Sequence, residues 1–397
     1  AQRLVPGMVT IGRIDGSLLG DPVLEEIDLD LPAARVTIGR LSLHWQPGKL
    51  FRRELQITDL DVHRVRVSLR QTDRQTTEPP VLPDIALPFR LTCDRLALTD
   101  LALIPAGADD PLSVDALTLA ATWEATGLEI SELGLVTSRP PAEARLTGKV
   151  DLTGDYPVTA ELDWHFLPGG ELAPLAGTGR VKGDLQALRI VHRTTGRLTS
   201  GFEGELSDLL DAPTWRALVR VDDVSTHDFT RDAPAGSVAG HFSGTGTFSD
   251  ASVTGTVTAE LEGLDALGRL EARVDAEIEQ DLLSVSQLNL SASEVPGSLQ
   301  ARGRIQLTGE APGRFDVDAE WRDLAWPPGE APEYQLPAGT LKASGTADAF
   351  SHEVATRIES ATLPPADVQW EGQATPGSMT VDTLQVDTLG GHIDGIG

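Results

Sequence analysis

The sequence predicts an all-β fold, an elongated stack of strands with few or no helices. Three observations carry this. Apolar and polar residues alternate in short runs along most of the 397 residues, the period-two pattern of strands that bury one face and wet the other. The stretch 148–164, GKVDLTGDYPVTAELDW, has a near copy at 303–321, GRIQLTGEAPGRFDVDAEW. Each copy reads as a short strand, a turn containing Pro, and a second strand ending in an acid and Trp. Glycine (39 residues) and proline (26) are both plentiful, which suits many strands joined by many turns. A chain that repeats such a unit builds a surface by stacking strands rather than one compact site.

Residues 4–69 carry the clearest alternation. Val9, Ile11 and Ile14 lead into a turn over 16–20. Ile27, Leu29 and Leu31 alternate with Asp28 and Asp30, and Val36, Ile38, Leu41, Leu43 and Trp45 follow. Pro47-Gly48 breaks the run. In LQITDLDVHRVRVSL, Leu55, Ile57, Leu60, Val62, Val65, Val67 and Leu69 are apolar with polar residues between. The two-residue steps after Ile57 and Val62 would shift the face, so short strands, bulges or bends are expected there.

Residues 71–88, QTDRQTTEPPVLPDIALP, are polar and then Pro-rich, and read as a loop or linker. From Phe89 the pattern resumes through Leu91, Cys93, Leu96, Leu98, Leu101 and Leu103. It continues through Leu117, Leu119, Ala121 and Trp123 to Ile130, Leu133 and Leu135. The chain thus divides into a first strand region (1–70), the linker (71–88), a continuing strand region (89–143) and repeated units over 144–397. Three markers recur in the last part: G-[KR]-[VI]-x-L-T-G at 148–154 and 303–309, Gly-x5-Gly at 177–183, 240–246 and 339–345, and a Leu-x-Leu…Gly leader at 288–303 and 384–397. Their spacing makes units of roughly 60–100 residues with loops of variable length.

Ser207–Val221 has room for one or two helical turns, but Pro213 argues against a long helix, and 325–337 is a Pro-rich loop. About 25 strands at ~4.8 Å would span roughly 100 Å. The chain begins Ala1-Gln2 without Met and ends in mid-pattern at Gly397, so it reads as a piece of something longer.

The formal charge is −28. That excludes nucleic acid as a partner, which needs a basic footprint, and argues against tight electrostatic docking on anionic lipid headgroups. Lysine occurs only at 49, 149, 182 and 342; a salt-adapted surface and plain solubility both fit. Cys93 is the single cysteine and follows Phe89 and Leu91 on an alternating face, which reads as a buried small apolar residue. No apolar run is long enough to span a membrane as a helix.

Catalytic signatures are missing. The chain has no G-x-S-x-G, H-E-x-x-H or P-loop. GTGRVKG at 177–183 has the wrong spacing for a dinucleotide loop and reads as a tight strand turn. The histidines at 44, 63, 165, 192, 227, 241, 352 and 392 show no paired ligand spacing and read mostly as solvent-facing strand residues. Asp109-Asp110 and Asp222-Asp223 read as turn acids rather than cation sites. Trp45, Trp123, Trp164 and Trp321 read as anchors at strand ends. No enzyme activity, cofactor or metal is expected.

What remains is alternating apolar surface spread over a long chain. A barrel or sandwich would hide it, whereas an open stack would leave an apolar trough that must hold something apolar in water. Acyl chains would bind by burial worth ~0.8 kcal/mol per CH₂; a peptide strand would pair with an open edge. The lining candidates are Leu41, Leu43, Leu55, Ile57, Leu60, Val62, Val65, Val67, Leu69, Leu96, Leu98, Val150, Leu152, Ile305 and Leu307. A charge at Val65 or Val67 is expected to block lipid more than it harms folding.

Residues 4–69 resemble the start of the periplasmic part of the TamB family, within the AsmA-like superfamily. The resemblance rests on Pro6-Gly7, the Gly16–Gly20 turn, Leu41-x-Leu43-x-Trp45 and the run Leu55–Leu69. The leader units at 285–303 and 381–397 are similar to the family's repeat body; 71–88 and 105–115 match less clearly. The resemblance implies a taco-like open β-groove with an apolar interior, in a periplasmic protein anchored in the inner membrane of a Gram-negative bacterium. It implies phospholipid acyl chains in the groove. It also implies an outer-membrane barrel partner, TamA, met through a C-terminal domain outside this sequence. The function it implies is phospholipid transport between the membranes in support of outer-membrane biogenesis. A chaperone-like scaffold for outer-membrane protein assembly and a β-repeat adhesin are the competing readings.

Overall fold

The computed structural model describes residues 9–17, 19–31, 34–70, 82–105, 112–167, 174–228, 235–308, 313–328, 331–375 and 377–396. They form two units. The first contains β1 (Val9–Asp15), β2 (Val23–Asp30), β3 (Ala34–Trp45), β4 (Glu54–Leu69), β5 (Arg90–Ile104), β6 (Leu112–Glu124), β7 (Gly127–Ser138), β8 (Pro141–Asp151), β9 (Val158–Phe166), β10 (Leu175–Gly183) and β11 (Ala187–Gly196). The second contains β13 (Thr214–Ser225), β14 (Gly236–Gly246), β15 (Asp250–Leu261), β16 (Leu270–Glu279), β17 (Leu282–Ala292), β18 (Ser298–Gln306), β19 (Phe315–Trp326), β20 (Tyr334–Thr346), β21 (Ala349–Ser360), β22 (Ala366–Thr375), β23 (Ser378–Thr388) and β24 (Gly391–Ile396). Between them in the chain, β12 (Thr199–Ser207) has residues assigned to both. The only helical elements described are short 3₁₀ turns at Pro47–Arg52, Thr226–Asp228 and Asp265–Leu267.

Within each unit every strand pairs with its neighbour in sequence, β1 through β11 and β13 through β24. The pairs are antiparallel except β4–β5, which is parallel. Neither ladder closes on itself, so each sheet is open, as the all-β groove prediction requires. The alternation that forms the strands is plain in β9: Val158, Ala160, Leu162, Trp164 and Phe166 are half-buried, while Thr159, Glu161, Asp163 and His165 are exposed. Among the described residues no second layer covers the apolar face. Among the described residues only eight hydrophobic side chains are buried, namely Ile27, Val62, Val65, Cys93, Ala121, Val224, Ala319 and Val354.

The two-residue steps do not move the chain to the other face. Ile38 pairs with Val65 and Arg40 with His63, leaving Gly39 opposite Arg64 without a bridge. The same gap sits between Gly12 and Glu26 and between Arg64 and Asp100. Glu26, Arg64 and Asp100 have φ of 56°, 55° and 57°. Adjacent strands therefore kink together along one line, and the apolar residues on both sides of it stay on one face. Glycine is needed opposite two of these kinks. A Cβ at Gly12 would lie 2.9 Å from Glu26 Cβ, and one at Gly39 would lie 3.2 Å from Arg64 Cβ. A second irregular line follows the step after Ile57, where β3, β5, β6 and β7 shift register at His44/Trp45, Cys93/Leu96, Ala120/Ala121 and Ile130/Leu133.

Other expectations change. Ser207–Val221 is strand, turn and strand rather than helix, because Thr214–Ser225 pairs along Gly236–Gly246. Residues 325–326 and 334–337 belong to strands β19 and β20, so the Pro-rich loop is shorter than 325–337. GTGRVKG is not a turn but the body of β10, paired on both sides. The described residues hold 24 strands, in line with the expected number of about 25. Asp222-Asp223 sits in the β13 irregularity between Val221 and Val224. Asp109-Asp110 and 71–81 lie outside the described residues.

Candidate functional site

Residues opposite one another in a ladder project from the same face, so the registers can be read across strands. In the first unit one row runs Ile14, Leu24, Leu41, Val62, Leu98, Leu117, Leu135, Ala144, Trp164, Gly177. A second runs Leu43, Leu60, Leu96, Leu119, Leu133, Leu146, Leu162. A third runs Leu55, Leu91, Trp123, Leu128, Val150, Val158. One face of the sheet is thus apolar from strand to strand.

Most lining candidates fall on these rows. Val62 and Val65 are the most buried, at 7% and 6% exposure; Leu69, at the end of β4, is 43% exposed. Ile57 faces Cys93, and Val67 faces Leu103. Cys93 is buried, and that burial pushes its thiol pKa up, with the Asp94 charge adding to it. In the second unit Ile305 pairs with Leu283 and Phe315. Leu152 and Leu307 lie just beyond the ends of β8 and β18, with their backbones engaged in turns.

The second unit lines its apolar face differently, with glycine and alanine opposite large side chains. One row runs Val219, Phe242, Gly255, Val274, Leu288, Ala301, Ala319, Leu341, Val354, Trp370. A Cβ at Gly255 would meet the Phe242 ring at 2.3 Å. The ring occupies the space that the glycine leaves open.

The same device explains the repeat. Trp164 lies over Gly177, where a Cβ would come within 2.4 Å of the indole, and Trp321 lies over Gly339, where it would come within 2.2 Å. The acid-Trp of one marker is therefore the cover of the first glycine of the Gly-x5-Gly marker. The last glycine serves another purpose. Gly183, Gly246 and Gly345 each pass so close to a carbonyl four residues on (Ala187, Asp250, Ala349) that a Cβ would lie 2.0–2.4 Å from it. Residue-level reading missed this pairing, although the shared marker order was its signal.

In the first unit Trp164 Nε1–H donates to His192 Nε2 at 2.8 Å, with the two rings stacked. In the second, Trp321 Nε1 is buried without a partner. The position matching His192, across from Leu341, is Val354, which offers no acceptor. His352 is likewise buried, correcting the solvent-facing expectation for that histidine: its neighbours in register are Ala343 and Gly372.

The opposite face carries the charges. Arg35 reaches Asp28 at 2.5 Å, Arg95 bonds Asp59 at 2.5 Å and Asp61 at 3.2 Å, Lys149 pairs with Glu129 at 2.9 Å, and Arg180 with Glu161 at 2.7 Å. The Arg35 hydrogen bond holds the Asp28 carboxyl below its usual range. These pairs are exposed and screened by solvent, so they add little to stability; their effect is to keep one face wet.

The chain before β5 crosses the strand ends. Tyr156 O–H donates to Pro83 O at 2.5 Å, and Gly154 N–H to Asp84 Oδ1 at 2.9 Å. Ile85 N–H bonds Leu152 O, Leu87 N–H bonds Ala125 O, and Arg90 N–H bonds Arg53 O, each at 2.9 Å. Residues 83–90 thus tie together the β8–β9, β6–β7 and β3–β4 connections.

Among the described residues no group of three or more His, Cys, Asp or Glu gathers as a metal site, and no helix is long and apolar enough to cross a membrane. No solved structure matches the chain. The family described as TamB, N-terminal domain, matches residues 1–130, 71–308 and 252–397. Together these matches run from end to end, and their overlap is what a repeated pattern produces. Open strand ladders with one dry and one wet face agree with that match, and the chain belongs to the TamB family.

Proposed function

We propose that this chain is a non-enzymatic stretch of a periplasmic bridge, along whose apolar face phospholipid acyl chains travel between the inner and outer membranes. The observation that carries the reading is the unbroken apolar row from Ile14 to Trp164, with no second layer over it among the described residues. An uncovered face of that size is unfavourable in water, and acyl chains relieve the cost without demanding fixed geometry. The family supports the setting: an anchor in the inner membrane and an outer-membrane barrel, TamA, as partner of the whole protein.

The test is photo-crosslinking from Val67, Leu103 and Leu135 on the dry face and from Arg66 on the wet face, followed by native mass spectrometry. Lipid adducts should form from the dry positions only, and Val67→Glu should abolish them nearby. Val67 is a better site than Val65, whose 6% exposure makes a charge there a folding defect. Absence of lipid from all dry positions refutes the conduit. A second reading, a scaffold for outer-membrane protein assembly, is supported by β1 and β24, each paired on one side only within its unit. It predicts adducts to unfolded barrel precursors along those edges, unaffected by Val67→Glu.

A further inference from the structure

The connection between β3 and β4 is a 3₁₀ turn at Pro47–Arg52 with no buried residue. At its tip Phe51 is 96% exposed, the highest value of any large hydrophobic side chain among the described residues, and Leu50 is 47% exposed. An aromatic ring held fully in water has no role in the sheet. Basic residues surround it. Lys49 is neutralised by Glu54 at 3.2 Å. Arg52 and Arg53 are exposed, and no ion pair among the described residues engages either guanidinium. Arg53 takes up the left-handed conformation, φ 57, and its carbonyl is held by Arg90 N–H. The turn is therefore fixed to the sheet while its apolar tip projects.

The neighbouring turn adds to the surface. Pro22 O accepts from Leu43 N–H, so the 16–22 turn leaves the same end of the sheet, and Leu19 on it is 72% exposed. Acids at this end of the sheet include Asp15, paired with Arg13 at 2.8 Å, Asp21, 3.9 Å from His44, and Glu124, 3.8 Å from Arg90.

We infer that this tip, Leu50-Phe51 flanked by Arg52 and Arg53, docks on the surface of a bilayer containing anionic phospholipid. Apolar side chains enter the headgroup boundary while cations meet the lipid charge. The net charge of −28 does not prevent this, because charges farther away than roughly 8 Å are screened at physiological salt. The same chain holds the control. Phe248, at the β14–β15 turn, is 78% exposed but stands beside Asp250 instead of arginines.

The test uses the whole 397-residue chain. Phe51→Cys and, separately, Phe248→Cys are labelled with an environment-sensitive fluorophore; Cys93 is buried and stays unlabelled. Vesicles of phosphatidylglycerol and phosphatidylethanolamine are compared with pure phosphatidylcholine. The label at 51 should shift to the blue on the anionic vesicles only, and the label at 248 on neither. Arg52→Gln and Arg53→Gln should each weaken binding about fivefold, and unlabelled Phe51→Ser should weaken vesicle flotation by about tenfold. Val67→Glu, which targets the dry face, should leave docking unchanged, so its outcome separates this inference from the conduit reading. An equal response at 51 and 248, an equal response to both vesicles, or no response at 51 in a chain with unchanged melting overturns the inference; the last would leave the tip to a protein partner.

Discussion

Replacing Gly177 by Ala tests whether the indole-on-glycine contact joins β9 to β10. A Cβ there would lie 2.4 Å from Trp164 Cε2 and Nε1 and 2.6 Å from Cζ2, so the ring must retreat by about 1 Å to reach ordinary contact. Overpacking of this kind costs roughly 1–3 kcal/mol. The retreat also breaks the 2.8 Å bond to His192, worth about 1 kcal/mol. Alanine's smaller backbone entropy loss offsets roughly 0.5–1 kcal/mol, which leaves a net loss of about 1–3.5 kcal/mol. A ladder of this type does not unfold as one unit, so the assay is local: amide hydrogen exchange of β9 and β10, beside thermal melting. The same substitution in a Trp164→Leu background should cost little. Gly48→Ala, where nothing lies within 4 Å, should be silent. An equal loss from Gly177→Ala with and without Trp164 would refute the argument.

Gly39→Ala should destabilise the first unit by roughly 1–3 kcal/mol, since its Cβ would lie 2.9 Å from Arg64 Nε and 3.2 Å from Arg64 Cβ. Arg64→Gly should relieve the left-handed strain and rescue Gly39→Ala, measured by melting temperature. His392 bonds Asp387 at 2.6 Å and lies 2.9 Å from Asp394, and these partners, Asp387 first, raise its pKa above the ordinary 6.5. Its contribution to the β23–β24 hairpin is therefore full below about pH 6.5 and lost as pH rises through the elevated folded value. A ring titration by NMR should show the high midpoint, and Asp387→Asn should lower it. Cys93 should resist thiol reagents in the folded chain and react on unfolding, because burial raises its pKa; fast native labelling would contradict its buried place between Ile57 and Ala121.

The strands were legible because alternation is a local property. β9 shows it residue by residue, and the dry positions Val62, Val65 and Cys93 follow from it directly. The kink line was legible only in part: the two-residue step after Val62 announces a bend in β4, but nothing aligns it with bends in the neighbouring strands. It is built from Glu26, Arg64 and Asp100 in left-handed backbone, a conformation that their residue types do not announce, with Gly12 and Gly39 on the strands paired beside Glu26 and Arg64. The Gly-x5-Gly marker looked like a turn because glycine usually signals one; in β10 its first glycine makes room for an indole from the strand beside it. His352 was misplaced because a histidine in an alternating run falls on either face, and its neighbours Phe350 and Val354 in the apolar register decide which.

The parallel β4–β5 pair has a consequence for folding order. Every other pairing described joins consecutive strands that reverse direction, some through connections as short as residues 125–126. Such contacts form locally and quickly. Joining β4 to β5 instead requires closure of the connection 70–89, about ten times longer, which adds roughly 2 kcal/mol of loop entropy. The first unit should therefore assemble as two zippers, β1–β4 and β5 onward, that meet late at one seam. A chain folding from its N-terminal end would wait at that seam until Arg90–Ile104 had followed, leaving one edge of β4 unpaired in the meantime.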